Sequence, residues 1–313
     1  MKPAKLRAFA MIDARYPVLA RLVREQVKLA PDQEKFFVKR FEAETAEGLA
    51  RHEELAGHIA KLIAQEENAF LDDYVWLCAE QLNEELYFRR HKKYRLSTFE
   101  EAFRLIYSNR EYMTRYMNGL LMTQLWWKNH YDVIDYYRRS FLATNAAGYS
   151  HLEIGPGHGL FIYFAAADRN AGAVTGWDIS ESSIQSTKGA LRTLGLSKLP
   201  ALELQDLFKG PKGAFDSVVF SEVLEHMEEP RAALDVIRSI LAPNGRLFLN
   251  MPINSPAPDH LFNLDTPEDL VAFVEEAGFV IEDQGLFPAT NQTLEMARKK
   301  KMTISCAFIA RRR

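Results

Sequence analysis

The sequence predicts an α/β protein, with a mostly parallel sheet covered by helices on both faces and an all-helical region before it. Three observations predict this class. From about residue 148, short apolar runs recur at 150–154, 173–177, 201–204, 215–220 and 246–250. Helical stretches alternate with them near 158–168, 181–194, 230–241 and 266–277, and such alternation implies parallel strands buried on both faces. The first 140 or so residues keep a helical period instead. The short linker Ala143-Thr144-Asn145-Ala146-Ala147-Gly148 divides the chain into 1–147, a helical lid or substrate region, and 148–313, a ligand-binding sheet domain.

In the helical half, Phe37, Phe41, Leu55, Ile59, Leu62 and Ile63 fall mostly at three- and four-residue steps, the stripe of a surface helix. Val75, Cys78, Leu82 and Leu86 continue it on a second helix. Ser97-Thr98-Phe99-Glu100-Glu101 supplies an N-cap and capping box for a third, along Phe103, Ile106, Met113, Met117, Leu120 and Leu121. In the sheet half, Pro243-Asn244-Gly245 reads as the turn into the fifth strand. Two further strands are expected near 279–283 and 303–309. No internal repeat or low-complexity tract interrupts either half.

Composition narrows the function classes. A hydrophobic content of 47% with 26% charged residues is ordinary for a soluble globular chain. No apolar run approaches the roughly 18 residues of a membrane span, and charge breaks up the N-terminus before a secretory h-region can form. Cys78 and Cys306 lie far apart and give neither a disulfide framework nor zinc spacing, so a reducing cytoplasm is expected. Residues 1–147 carry 23 Lys/Arg against 21 Asp/Glu, and residues 148–313 carry 16 against 21. Neither balance suits a phosphate backbone, so no nucleic-acid partner is expected. The basic run from Arg89 to Arg95 reads as a solvated helix end or linker, and Arg311-Arg312-Arg313 as a frayed terminus. Oligomeric state is not legible.

The stretch Ser150-His151-Leu152-Glu153-Ile154-Gly155-Pro156-Gly157-His158-Gly159 carries the most chemistry. An apolar strand runs into three alternating glycines and then an apolar helix candidate, so the backbone turns sharply and a ligand can approach without meeting a Cβ. A dinucleotide fingerprint needs Gly or Ala three positions after the second glycine, where this chain has Leu160. Glu153, just before the glycines, suits a cationic ligand better than a pyrophosphate. Asp178 closes the next strand about 20 residues on, where a ribose-binding carboxylate belongs. Asp206 follows the third strand, and Phe215-Asp216-Ser217-Val218 leads through Ser221 and Glu222 to Val223-Leu224-Glu225-His226.

In this order, these motifs resemble the class I S-adenosylmethionine-dependent methyltransferases, over residues 148–313 or about half the chain. The resemblance implies a Rossmann-like seven-stranded sheet whose last strand inserts antiparallel beside strand six, with S-adenosylmethionine as cofactor. It implies a cofactor cradle of Glu153, Gly155, Pro156, Gly157 and Gly159. Asp178 and Ile179 would meet the ribose, Asp206 and Leu207 (or Phe208) the adenine, and Ser221, Glu222 and Val223 the methionine portion. Transfer needs a nucleophile in line with S–CH₃ and a base if the acceptor is a hydroxyl or ammonium. Candidate bases are His130, His226, His260 and Tyr131, with His226 equally readable as a structural hydrogen-bonder. Trp127, Asn129 and Tyr131 stand where the family folds helices over the cofactor, and an aromatic cluster can cradle a sulfonium. Pro256-Ala257-Pro258-Asp259-His260 occupies the place of a substrate loop. No metal is expected: His52 and His58 are six apart on one helix and face differently, and the cluster Glu222, Glu225 and His226 is explained better by the V-L-E-H motif.

The function implied is methyl transfer to a small-molecule acceptor. Two readings stand beside it. The stretch from Ser97 through Tyr116-Met117-Asn118-Gly119 to Trp127-Lys128-Asn129-His130 is faintly similar to the azetidine-2-carboxylate synthases, where the cofactor's own amine attacks its Cγ and methylthioadenosine leaves. The other is a non-catalytic cofactor-binding scaffold, against which the intact glycines, Asp178 and Asp206 argue. An oxidoreductase is disfavoured by Leu160.

Overall fold

A computed structural model describes residues 15–42, 44–210 and 213–313. The helical half begins with α1 (Pro17–Leu29), whose first N–H groups are closed from outside the helix: Glu53 accepts from Val18 N at 2.9 Å and Leu19 N at 2.8 Å. The stripe expected to form one helix is split into α2 (Glu34–Glu42) and α3 (Ala46–Ile63), because Thr45 adopts extended backbone and caps α3 through Gly48 N. The next helix, α4 (Glu67–His91), corrects the expected stripe. Leu82 and Leu86 are more than half exposed, while Leu71, Tyr74 and Leu77 make its buried face. Its basic end is a helix terminus closed by Lys92 at φ 58°, which suits the C-terminal dipole.

Thr98 does cap the following turn, α5 (Phe99–Ala102), but Glu101 returns to Ser97 N rather than to the cap residue. A five-residue π-helical stretch, Phe103–Tyr107, then separates α5 from α6 (Arg110–Trp126), so the expected third helix is broken at Asn109. The break matters because it turns Tyr107 toward the sheet. A last helix, α7 (Lys128–Tyr136), leads to the linker.

The sheet half runs β1 (Tyr149–Ile154), α8 (Leu160–Ala167), β2 (Ala171–Asp178), α9 (Glu181–Thr193), β3 (Ala201–Leu204), β4 (Phe215–Ser221), α10 (Pro230–Ile240), β5 (Leu241–Ile253), α11 (Pro267–Glu276), β6 (Phe279–Pro288), α12 (Leu294–Lys300) and β7 (Ile304–Arg312). The strand order is 3-2-1-4-5-7-6, with β7 antiparallel to both β5 and β6 and the other pairs parallel. The seven-stranded expectation holds. Pro243-Asn244-Gly245 is an excursion inside β5 rather than a turn before it: Phe215 pairs with Leu241 and Ser217 already with Arg246. The terminal arginines are not frayed either, since Arg311 and Arg312 pair with β6 and Arg313 N donates to Gly278 O at 2.9 Å.

The two halves share one core. Tyr137 and Phe141 pack on Phe248 of β5 at 5.2 and 5.5 Å between ring centroids, and Tyr137 meets Phe161 of α8 at 4.6 Å. Arg246, also on β5, donates to Thr144 Oγ1 and Asn145 Oδ1 at 2.9 and 3.0 Å, tying the linker to the sheet. Among the described residues, no helix is long and apolar enough to cross a membrane.

Candidate active site

The chain order reverses between β1 and β4, and ligands of open α/β sheets bind outside the carboxyl ends of the strands at such a point. There the loop between β1 and α8 holds Gly155, Gly157 and Gly159 at φ +70°, +48° and +83°, a conformation that L side chains rarely adopt. A Cβ on Gly155 would stand 3.0 Å from Val223 Cγ2, so the loop also packs directly on the segment after β4. Under the loop, Glu153 is buried and its Oε2 has no partner. Burial holds its carboxyl well above the usual range. An unpartnered buried carboxylate beside a glycine cradle is what a cationic ligand would compensate.

At the end of β2, Asp178 accepts from Ser180 N at 2.8 Å and Ser183 Oγ at 2.7 Å, which fixes its carboxylate at the start of α9 and leaves acceptor capacity on both oxygens. Burial raises its pKa. Beside it, Asp206 accepts from Phe208 N at 2.9 Å and lies 3.5 Å from Lys209 Nζ. Ile179, Leu204 and Phe208 are 61%, 64% and 50% exposed at the ends of β2 and β3, whereas Leu207 is buried. Apolar side chains left open around two carboxylates give a planar ring both faces and edges to meet.

The end of β4 is more crowded. Glu222 is held at φ +55°, a strained conformation for a non-glycine residue. Asn250 Nδ2 fixes it, donating to Ser221 Oγ at 3.1 Å and Glu222 Oε1 at 2.7 Å, while burial raises its carboxyl to about 7. Glu225 is fully buried with neither carboxylate oxygen partnered, and burial beside Glu222 drives its pKa well up. The loop after β5 closes over it, since Leu261 N and Phe262 N donate to Glu225 O. That loop is pinned by Tyr94, which accepts from Ser255 N and donates to Asn263 Oδ1.

The same closure carries in Asp259 and His260. Asp259 accepts from Tyr116 at 2.9 Å and Tyr107 at 3.2 Å, and His226 Nδ1 lies 3.1 Å from its carbonyl. Burial opposes ionisation of Asp259, but His226, His260 and Tyr116 outweigh it and lower its pKa. His260 bonds through Nδ1 to Ser255 O at 2.6 Å and packs edge-on to His226, centroids 4.8 Å apart. Glu225, His226 and His260 thus gather in a group the expectation of no metal did not foresee. Sequence spacing keeps His260 away from the V-L-E-H segment; only the loop closure joins them.

From the helical half, α6 reaches the glycine loop, with Met117 Cε 3.8 Å from the Cβ position of Gly157. Tyr107 of the π-helical stretch and Tyr116 of α6, neither of which sequence reading gave a role in the site, are the polar contribution of the helical half. A helical stretch carrying Tyr107, Tyr112 and Tyr116 was the available signal. Of the expected lid residues, His130 lies near His158 of the glycine loop and near His260; burial lowers its pKa to about 3. The other three are engaged elsewhere. Trp127 Nε1 donates to Tyr74 at 3.2 Å, Asn129 Nδ2 to Ser305 Oγ at 3.0 Å, and Tyr131 to Gly48 O at 3.0 Å while stacking on His52. Those contacts join α7 to β7 and to the other helices.

Residues 152–247 match a family model described as a methyltransferase domain. Over that segment, about a third of the chain, the protein is similar to methyltransferase domains. A ubiquinone biosynthesis O-methyltransferase of Neisseria meningitidis serogroup C is 25% identical over 156 residues, covering 49% of this chain and 63% of that protein. Its counterpart in Xanthomonas euvesicatoria pv. vesicatoria is 27% identical over 157 residues, covering 44% and 65%. The chain therefore spans just under two thirds of the length of these relatives. Among solved structures, magnesium protoporphyrin IX methyltransferase from Synechocystis PCC 6803 with bound SAH aligns at 22% identity and TM-score 0.45, over 58% of this chain and 83% of that one. S-adenosylmethionine is the cofactor of such a domain, and the residues present fit it: the Glu153 oxygen lacks a partner, the glycine cradle has no Cβ, and Asp178 keeps free acceptor capacity.

Proposed function

We propose that the protein transfers the methyl group of S-adenosylmethionine to a hydroxyl oxygen of a small molecule. The observation that carries this reading is the buried, unpartnered Glu153 beside three left-handed glycines, in a segment matching the methyltransferase model. The choice of oxygen rests on the relatives' naming as O-methyltransferases. Gly155, Pro156, Gly157 and Gly159 cradle the methionine tail, with Ser221, Glu222 and Val223 beneath it. Asp178 and Ile179 take the ribose, and Asp206 the adenine edge with the exposed Phe208, rather than the buried Leu207, beside the ring. The helical residues before 148 act as a lid whose α6 covers the glycine loop.

The sulfonium is already a good leaving group, so the protein's task is alignment and exclusion of water. The acceptor oxygen attacks the methyl carbon as the S–CH₃ bond breaks, S-adenosylhomocysteine leaves, and the hydroxyl proton passes into the polar pocket of Tyr107, Tyr116, His226 and Asp259. Incubation of the pure protein with S-adenosylmethionine, with and without a panel of hydroxylated acceptors, tests the reading. S-adenosylhomocysteine formed only with an acceptor is the expected result. Methylthioadenosine formed stoichiometrically from cofactor alone would replace it with intramolecular cyclisation.

A further inference from the structure

We propose that His130 and His158 bind the α-amino acid end of S-adenosylmethionine, His158 donating to its carboxylate and His130 accepting from its ammonium group. The inference rests on the methyltransferase reading, which supplies the cofactor but gives neither histidine a part in holding it.

Each ring has one nitrogen engaged and one open. Thr123, fully buried on α6, gives its hydroxyl proton to Leu120 O at 2.7 Å, so its oxygen is left to accept from His130 Nδ1 at 2.8 Å. Gln124 Nε2 lies 3.3 Å from the same nitrogen but equally near Leu120 O, where its proton is better received. His130 therefore carries its proton on Nδ1 and its lone pair on Nε2. His158 has the opposite tautomer. Its Nδ1 accepts from Leu160 N at 3.3 Å, which leaves the proton on Nε2. Neither Nε2 has a hydrogen-bond partner among the described residues, and neither is sealed away from solvent.

The two rings come to one place from opposite halves of the chain. His158 belongs to the glycine loop, and His130 on α7 is near enough that a charge on one opposes a charge on the other. Both keep partial exposure, yet burial lowers His130 to about 3 and His158 to about 4. Side chains so deeply surrounded but still reachable line a cleft. Their neutrality decides their role. Near pH 7 neither holds a charge, and a sulfonium close by would lower both further, so neither serves as a counter-charge or an effective base. A neutral donor beside a neutral acceptor suits a zwitterion. It also sets no second cation against the sulfonium, as Arg or Lys would. The surroundings fix the orientation. His158 stands at the amino end of α8, whose dipole favours an anion. Glu153, unpartnered under the same loop, favours the ammonium, which has three N–H groups to share between Glu153 and His130.

The test uses ligands that keep or lack each group. Calorimetry compares S-adenosylmethionine, its decarboxylated form, its deaminated 2-oxo form and methylthioadenosine, which lacks the amino acid portion, on wild type, His130→Phe and His158→Phe. His158→Phe is expected to lose about 10–100-fold in affinity for S-adenosylmethionine and none for the decarboxylated form. His130→Phe is expected to lose about as much for S-adenosylmethionine and none for the 2-oxo form. Both should bind methylthioadenosine as wild type does. Variants that lose affinity equally for all four ligands, or for none, overturn the proposal. Where a variant does not fold, nitrogen-15 spectra of the wild type's histidines decide. S-adenosylhomocysteine should shift the Nε2 signals of two neutral rings of opposite tautomer, which methylthioadenosine leaves in place; no such shift overturns the proposal as well. Wild type that binds S-adenosylmethionine no more tightly than methylthioadenosine sinks this contact alone, whereas wild type that binds neither sinks the methyltransferase reading.

Discussion

At the scale of single residues, the cofactor cleft is built from groups placed at some cost to the fold. Burial raises the pKa of Asp178, while hydrogen bonds from Ser180 N and Ser183 Oγ work against that shift and fix the carboxylate at the end of β2. Two ribose hydroxyls donating to that carboxylate would meet a fixed acceptor. Asp178→Ala is accordingly expected to weaken S-adenosylmethionine binding by roughly 2–4 kcal/mol, since charge-assisted bonds are lost and the hydroxyls go unpaired. Calorimetry that returns equal affinities for both proteins rules the ribose contact out. Both Asp178 and the glycines were legible because their chemistry sits in short, ordered motifs. The contacts of Tyr107 and Tyr116 with Asp259 were not, although the loop carrying Asp259 was read as a substrate loop, because no local pattern relates tyrosines of the π-helical stretch and α6 to a carboxylate after β5. Those contacts exist only in the folded chain.

Elements show where local pattern and tertiary context diverge. The apolar runs located every strand, and the four helices expected between them fall within two residues of α8, α9, α10 and α11, whereas α12 was not read. The boundaries that failed are instructive. Thr45 and Asn109 cap new helices inside stripes that looked continuous, since hydrophobic spacing does not register a single residue leaving the helical region. On α4, four apolar residues at helical spacing mark the partly exposed side, because Tyr74 and Leu77 meet the rest of the layer instead. The excursion in β5 brings Arg246 and Phe248 against the linker and against Tyr137 and Phe141. Phe248 is fully buried between the two halves, so Phe248→Ala should cost about 3–5 kcal/mol through transfer and cavity effects. The unfolding should also remain a single step, with tryptophan fluorescence and far-UV dichroism moving together. Separate transitions for the two signals would show that the halves fold independently and that the shared aromatic cluster does not couple them.

For the molecule as a whole, stability should depend on pH through histidines that fold buries without charge. His52 and His151 are both 0% exposed, each with a neutral partner, Leu125 O at 2.8 Å and Ser217 Oγ at 2.9 Å. Burial depresses both, with Arg40 and Lys128 adding to the effect at His52; His151 falls to about 3. A histidine whose folded pKa lies below its unfolded value of about 6.5 takes up a proton in the unfolded chain before it does so in the folded one. Stability is therefore fully present above about pH 6.5 and is lost as pH falls toward the folded value, by about 1.4 kcal/mol per pH unit for each such histidine. His151 sits within β1 between Tyr149 and Glu153, and the register with β4 sets it opposite Ser217. His151→Asn keeps a hydrogen bond to Ser217 within reach and removes the titration. Urea denaturation from pH 7.5 to 5 should then show a shallower loss of stability for the variant than for wild type, whatever its stability at neutral pH. Parallel slopes would mean that His151 is as easily protonated in the folded chain as in the unfolded one, and that the acid sensitivity arises elsewhere.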